Sequence, residues 1–181
     1  MAQDLPSPDP HAADREQLLK IFHEVEGSIN SQSLERMAQQ MDADVTVVWA
    51  NGEVSRGPAD VLAYYDRMVK GKDRIITKYL TKAKLHGHAR FLGDGTVAIA
   101  DGTMEDEYFP VIRGPFTLSA KWTATAAKLN GEWKIVSLHL SANVFNNVLL
   151  DEAKRALMYV GGGGLALGLL AGWAISKFLS R

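Results

Sequence analysis

The sequence predicts an α+β domain followed by a C-terminal transmembrane helix, and three observations carry that reading. Apolar residues recur at helical spacing through the first part of the chain. Residues 75–143 instead alternate apolar and polar positions, with glycine-rich turn signals between the runs. Residues 156–176 then hold no charged side chain. Helices followed by a run of hairpin-connected strands indicate α+β architecture.

Residues 1–13 set Pro6, Pro8 and Pro10 among Asp4, Ser7 and Asp9. They lack the basic and apolar regions of a secretory signal, so a disordered leader is expected, with the main domain on the cytoplasmic side. Residues 14–30 place Leu18, Leu19, Phe22, Val25 and Ile29 on one helical face, with Asp14 as the expected N-cap. Residues 33–41 repeat the pattern with Leu34, Met37 and Met41, started by Ser33. A β-branched run over residues 45–50 ends at the Asn51-Gly52 turn. Gly57-Pro58 then opens a third helix through Val61, Leu62, Tyr65 and Met68, closed near Gly71. Strands are expected over 75–90, 96–104, 116–129 and 133–143, with Gly93-Asp94-Gly95 and Asn130-Gly131 as turns.

The charge-free run spans 21 positions, and a helix of that length covers about 30 Å, the thickness of a bilayer core. Lys154 and Arg155 precede it, Lys177 and Arg181 follow it, and Tyr159 and Trp173 lie toward its ends, where aromatic side chains favour the interface. Few residues follow, so a single-pass tail anchor is expected. Gly164, Gly168 and Gly172 share one helix face, a spacing that lets backbones approach in helix–helix packing. The expected organisation is a leader at 1–13, a domain at 14–150 and a tail at 151–181.

Charge excludes some partners. Lys and Arg total 20 against 21 Asp and Glu, with net +2 in residues 151–181 and −3 in the rest. No basic cluster is present, so nucleic acid is not an expected partner. The chain has no Cys, which removes disulfides, thiolate nucleophiles and cysteine-ligated metals. His86 and His88 stand two apart without a visible third ligand, so no metal is expected, and no cofactor fingerprint is present.

Two stretches resemble a known family. Residues 52–65 read G-x-x-x-x-G-P-A-D-V-x-x-Y-Y, and Lys121-Trp122-Thr123 leads through Gly131-Glu132-Trp133-Lys134-Ile135-Val136 to His139-Leu140-Ser141. In order and spacing they resemble the nuclear transport factor 2-like superfamily, within it the SnoaL-like group, over about residues 14–143. The final hairpin is also similar to that of the association domain of calcium/calmodulin-dependent kinase. The resemblance implies a cone: a strongly curved antiparallel sheet wrapped on three helices, a pocket at the wide end, and an outer sheet face often used for dimers. Members include isomerases, polyketide cyclases, dehydratases, transport factors and oligomerising domains, so the fold alone names no function.

A steroid-isomerase-like member needs a carboxylate base in the first strand. Here the resemblance puts Trp49 at that position, and Trp cannot take a proton. His139, flanked by Ser137 and Ser141, and Asp101, in register with Val97 and Ile99, are the candidate catalytic groups. Trp49, Tyr65, Trp122 and His139 are the candidate pocket lining. The Glu105-Asp106-Glu107 run reads as a solvated acidic loop. Three functions stay open: a non-catalytic, membrane-anchored oligomerising or accessory module, as a subunit of a larger membrane complex; a membrane-tethered SnoaL-like enzyme acting on an apolar small molecule by acid/base catalysis, which needs His139 or Asp101 to face inward; and a glycine-zipper pore, which lacks polar lining residues. The first is favoured because it accounts for the missing base. Expected partners are membrane lipid, a second copy in a homodimer or higher oligomer, and a membrane protein.

Overall fold

The computed structural model describes residues 9–179, so residues 1–8 of the expected leader lie outside the described residues. Its elements are helix α1 (Ala12–Asn30), short helix α2 (Glu35–Gln39), strands β1 (Met41–Val48) and β2 (Val54–Arg56), helix α3 (Gly57–Tyr65), strands β3 (Ile76–Leu85), β4 (Arg90–Leu92), β5 (Val97–Pro110), β6 (Phe116–Leu129) and β7 (Glu132–Ala142), and helix α4 (Val148–Leu179). The chain divides into two compact units, one ending at Ala142 and one beginning at Asn143.

In the first unit the strands form one open, curved sheet in the order β2-β1-β7-β6-β5-β3, with β4 pairing β5. The expectation of an α+β sheet packed on N-terminal helices holds. The pairing is antiparallel except that β1 and β7 run parallel. Leu18, Phe22, Val25 and Ile29 of α1 pack against the sheet's inner face as expected, but Leu19 is 41 % exposed and Ile21, one helical turn before Val25, takes its place. At the β6–β7 hairpin, Asn130 (φ 51°) and Gly131 (φ 86°) supply the two positive-φ residues of a type I′ turn.

Several boundaries differ from expectation for identifiable reasons. Helix α1 begins at Ala12 with His11, not Asp14, at its N-cap. The Asp14 carboxylate instead accepts from Lys128 Nζ at 2.7 Å and Trp133 Nε1 at 2.8 Å, which ties the helix to the sheet. Those two bonds hold the Asp14 carboxyl below the usual carboxylate range. Helix α2 stops at Gln39 because Met41 is already in β1, and the Gln40 carbonyl accepts from the Ile135 amide at 2.9 Å. The turn at Asn51-Gly52 leads into β2, a short strand that sequence periodicity did not reveal. Helix α3 runs on into a π-helical turn, Asp66–Lys70, that buries Val69 before Gly71. Strand β3 ends at Leu85, so His86 and His88 lie in a loop rather than on a strand face.

The largest difference is in β5, which continues past Met104 to Pro110 and so carries the acidic run as strand rather than loop. Its inner face holds Ala98, Ala100, Gly102, Met104, Asp106 and Tyr108, the small residues facing Trp122, Trp133 and Phe22. Gly102 is the tightest point. A Cβ there would stand 1.9 Å from the Lys84 carbonyl oxygen and 2.8 Å from the Trp122 ring. The Gly102→Ala substitution is therefore expected to cost at least about 3 kcal/mol, read as a lower urea midpoint of the full chain in detergent.

In the second unit α4 passes through residues 161–164 without a break, so the four glycines do not form a hinge. Val148–Lys177 is one helix long and apolar enough to cross a membrane.

Candidate functional site

Strand β3 lies at one edge of the sheet, where its backbone groups have no partner strand. Side chains at the end of α1 and just beyond take that place. Asn30 Nδ2 donates to the Thr81 carbonyl at 2.9 Å, and Asn30 Oδ1 accepts from the Thr81 amide at 2.8 Å. Glu26 accepts from the Ala83 amide at 2.9 Å, and Gln32 Nε2 donates to the Tyr79 carbonyl at 2.6 Å. Because both backbone groups of Thr81 point away from β5, Thr81 and its partner Asp106 form a non-hydrogen-bonded pair, whose side chains approach closely.

The Thr81 hydroxyl accordingly donates to Asp106 Oδ1 at 2.7 Å. Asp106 is 0 % exposed, with Leu118 opposite it on β6 and Met104 and Tyr108 on either side of it along β5. Burial pushes its pKa up to about 6, against opposing hydrogen bonds from Thr81, Tyr79 and Tyr108. The Tyr108 hydroxyl lies 3.5 Å from Asp106 Oδ2, a long bond. Burial likewise raises both phenols, with the Asp106 charge adding to it, so Tyr79 and Tyr108 remain protonated donors.

An aromatic rim surrounds this carboxylate. Tyr79 stacks on Tyr108 at 5.1 Å between centroids, and Tyr108 on Phe116 at 5.3 Å. Trp49 stacks on Tyr64 at 4.2 Å with an 8° interplanar angle, and its Nε1 donates to Ser55 at 2.9 Å. Burial pushes the Tyr64 phenol up to about 12. Tyr64 also adds to the rise at Tyr108, so these rings share one neighbourhood. Trp49, Tyr64, Tyr79 and Tyr108 are each only partly buried, whereas the acid beneath them is closed off. A base with a pKa near neutrality, protonated phenols and apolar walls form a set suited to taking a proton from carbon while hydrogen-bonding a developing oxyanion.

The residues singled out from sequence are distributed differently. Trp49 is on this rim. Tyr65 is buried in the core below α3, its hydroxyl donating to Gln32 Oε1 at 2.8 Å. Trp122 fills a separate part of the core against Phe22 and Met104. His139 is exposed on the outer sheet face, because a bulge leaves Val136 unpaired between Ile135 and Ser137 and reverses the phase of β7. Leu138 and Leu140 thereby turn inward in its place. Asp101 also faces outward and accepts His86 Nδ1 at 2.9 Å. Neither candidate acid–base group reaches the rim. Gly164, Gly168 and Gly172 are exposed along α4. Among the described residues no cluster of three or more metal-ligating side chains occurs.

Comparison with solved structures gives this architecture a family likeness. A hexachlorocyclohexane dehydrochlorinase from Novosphingobium barchaimii superposes with a TM-score of 0.65 at 15% identity, over 75% of this chain and 90% of that one. The fold is nuclear transport factor 2-like. A protein of that superfamily from Salmonella enterica serovar Typhimurium matches at TM-score 0.59 and 16% identity, over 76% of this chain and 96% of that one. A protein from Novosphingobium aromaticivorans named as a scytalone dehydratase matches at 0.61 and 13%, over 73% and 85%. No family model and no curated protein matches the sequence. At such identities the likeness is one of fold, and the catalytic question rests on the site itself.

Asp106 was hidden in the sequence because Glu105 and Glu107 on either side read as one charged loop. The signal that could have found it is the two-residue period: Met104, Asp106 and Tyr108 continue the inward phase of Ala98 and Ala100.

The raised pKa has a stability consequence of definite sign. A carboxyl that binds its proton more tightly when folded favours the folded state at low pH, and that contribution is lost as pH rises from about 4 to about 6. Above that window the charge costs about 3 kcal/mol. Asp106→Asn is therefore expected to raise stability at pH 7 by roughly 1–3 kcal/mol and to show little difference below pH 4, measured by urea unfolding across pH.

Proposed function

We propose that the domain is a membrane-tethered acid–base enzyme acting on an apolar small molecule, with Asp106 as proton acceptor and Tyr79 and Tyr108 as hydrogen-bond donors. The observation that carries this reading is a fully buried carboxylate, its pKa pushed up to about 6, lying under an aromatic rim. A structural role is better filled by an apolar residue, since an unpaired buried charge costs stability. The accessory-module reading leans on the missing carboxylate in the first strand, and Asp106 in β5 is a buried carboxylate that could take that part. Two structural relatives are named for eliminations, a dehydrochlorination and a dehydration, both compatible with a base in an apolar site. On this reading substrate would have to reach the acid past the 3.5 Å Tyr108–Asp106 contact and the Tyr79–Tyr108 stack. Helix α4 serves as the tether, holding the domain beside a lipid phase in which apolar substrates concentrate.

The test uses 5-nitrobenzisoxazole, a carbon acid whose ring opens when its C–H proton is removed: the C–H electrons form the nitrile as the N–O bond breaks, releasing a coloured phenolate. The full chain in detergent should accelerate this reaction, with kcat/KM rising through about pH 6 to a plateau as Asp106 ionises. Asp106→Asn should lose about 10²–10⁴-fold. Equal rates for the two proteins would sink the proposal.

A further inference from the structure

At the same end of the sheet, the loop from β5 to β6 carries its apolar residues outward. Ile112 is 94 % exposed and Val111 51 %. The Val111 amide donates to the Ile75 carbonyl at 3.1 Å, which brings Ile75, itself 57 % exposed, into the same patch. An exposed Ile at a loop tip, continuous with two further β-branched apolar side chains, is an interaction surface rather than a scattered apolar residue.

The charge around the patch is one-sided. Lys72, Arg74 and Lys78 precede or flank Ile75, Arg113 follows Ile112, and Lys70 lies just upstream, against Asp73 and the Lys70-paired Asp66. The whole chain, by contrast, has net charge −1. Two of the cations rest on aromatic rings: Arg113 Cζ lies 4.3 Å from the Phe116 centroid and Lys78 Nζ 5.4 Å from that of Phe109. An apolar tip ringed by cations on long stems matches the layering of a bilayer surface, with hydrocarbon below and anionic headgroups level with the charges.

We propose that Ile75, Val111 and Ile112 enter the interfacial layer of an anionic membrane while Lys72 and Arg74 bind its headgroups. The aromatic rim then faces lipid rather than bulk water, because Tyr108 and Phe116 stand at the base of this loop on β5 and β6. The inference rests on the reading of α4 as a membrane span: only five residues, 143–147, separate β7 from α4, and fully extended they reach at most about 18 Å.

The chain has no Cys, so Ile112→Cys can be labelled at one site with an environment-sensitive nitrobenzoxadiazole dye. The labelled full chain is reconstituted into vesicles of phosphatidylcholine, with or without phosphatidylglycerol. In the anionic vesicles the dye should shift to the blue, brighten by about twofold and be quenched by a shallow lipid-borne spin label. High salt or the Lys72→Glu/Arg74→Glu pair should reverse this. Gln17→Cys, on the exposed side of α1, should show none of it. A dye on floated vesicles that is not quenched by the lipid label overturns the proposal, as does a concentration-dependent shift without quenching, which marks a protein partner. Carbonate-resistant flotation reads α4 separately, so its loss overturns the span and not the reading of the loop's chemistry.

Discussion

The side-chain bridge from α1 to the edge of β3 is the constraint on which the domain depends. An uncovered strand edge leaves amides and carbonyls without partners, and here Asn30, Glu26 and Gln32 supply those partners where another strand would otherwise stand. The bridge fixes the height of α1 over the sheet, and with it the room left for Trp122 and Trp133 above Gly102 and Ala98. It also turns Thr81 so that its backbone serves the helix and its hydroxyl serves Asp106. Asp14 anchors the other end of α1 in the same way, through Lys128 and Trp133. The helix is thus held at both ends by polar bonds and along its length by apolar packing.

Within that frame the domain keeps one carboxylate where folding alone would place a hydrocarbon. Thr81 and two phenols satisfy its oxygens without neutralising it, since among the described residues no cation perturbs Asp106. A counter-charge would have returned the pKa to the ordinary range, or lowered it, and with it the basicity. The buried carboxylate thus makes the core less stable at neutral pH than an apolar residue of the same size would.

How far the sequence foretold this differs between its parts. The α1 stripe from Leu18 to Ile29, the Asn130-Gly131 hairpin and the charge-free run of α4 rest on local patterns, and each was legible. The sheet phase was not. In β5 the bulkier Val97 and Ile99 look like the core-facing set, yet the inner face takes Ala98, Ala100 and Gly102 because Trp122 of β6, Trp133 of β7 and Phe22 of α1 already fill that space. The β7 bulge at Val136 leaves no mark in composition, and it alone moves His139 from the inner to the outer face. Both errors come from tertiary volume and register, which a single strand's pattern does not encode. The parallel β1–β7 pairing was likewise invisible locally.

That pairing bears on how the molecule comes into being. Thr46 meets Ser137 across about ninety intervening positions, and the ladder lies inside the sheet, one strand in from its β2 edge. Closing so long a loop is slow compared with helix or hairpin formation. During synthesis β1 must wait, with β2 and α3 already formed beside it, until the last strand emerges. The residues that come next are those of α4, so the moment at which the sheet can first be completed is also the moment at which the most apolar helix of the chain begins to appear. Maturation of the domain and emergence of that helix are therefore coupled in time by topology alone, and a delay in folding lengthens the exposure of the unfinished sheet.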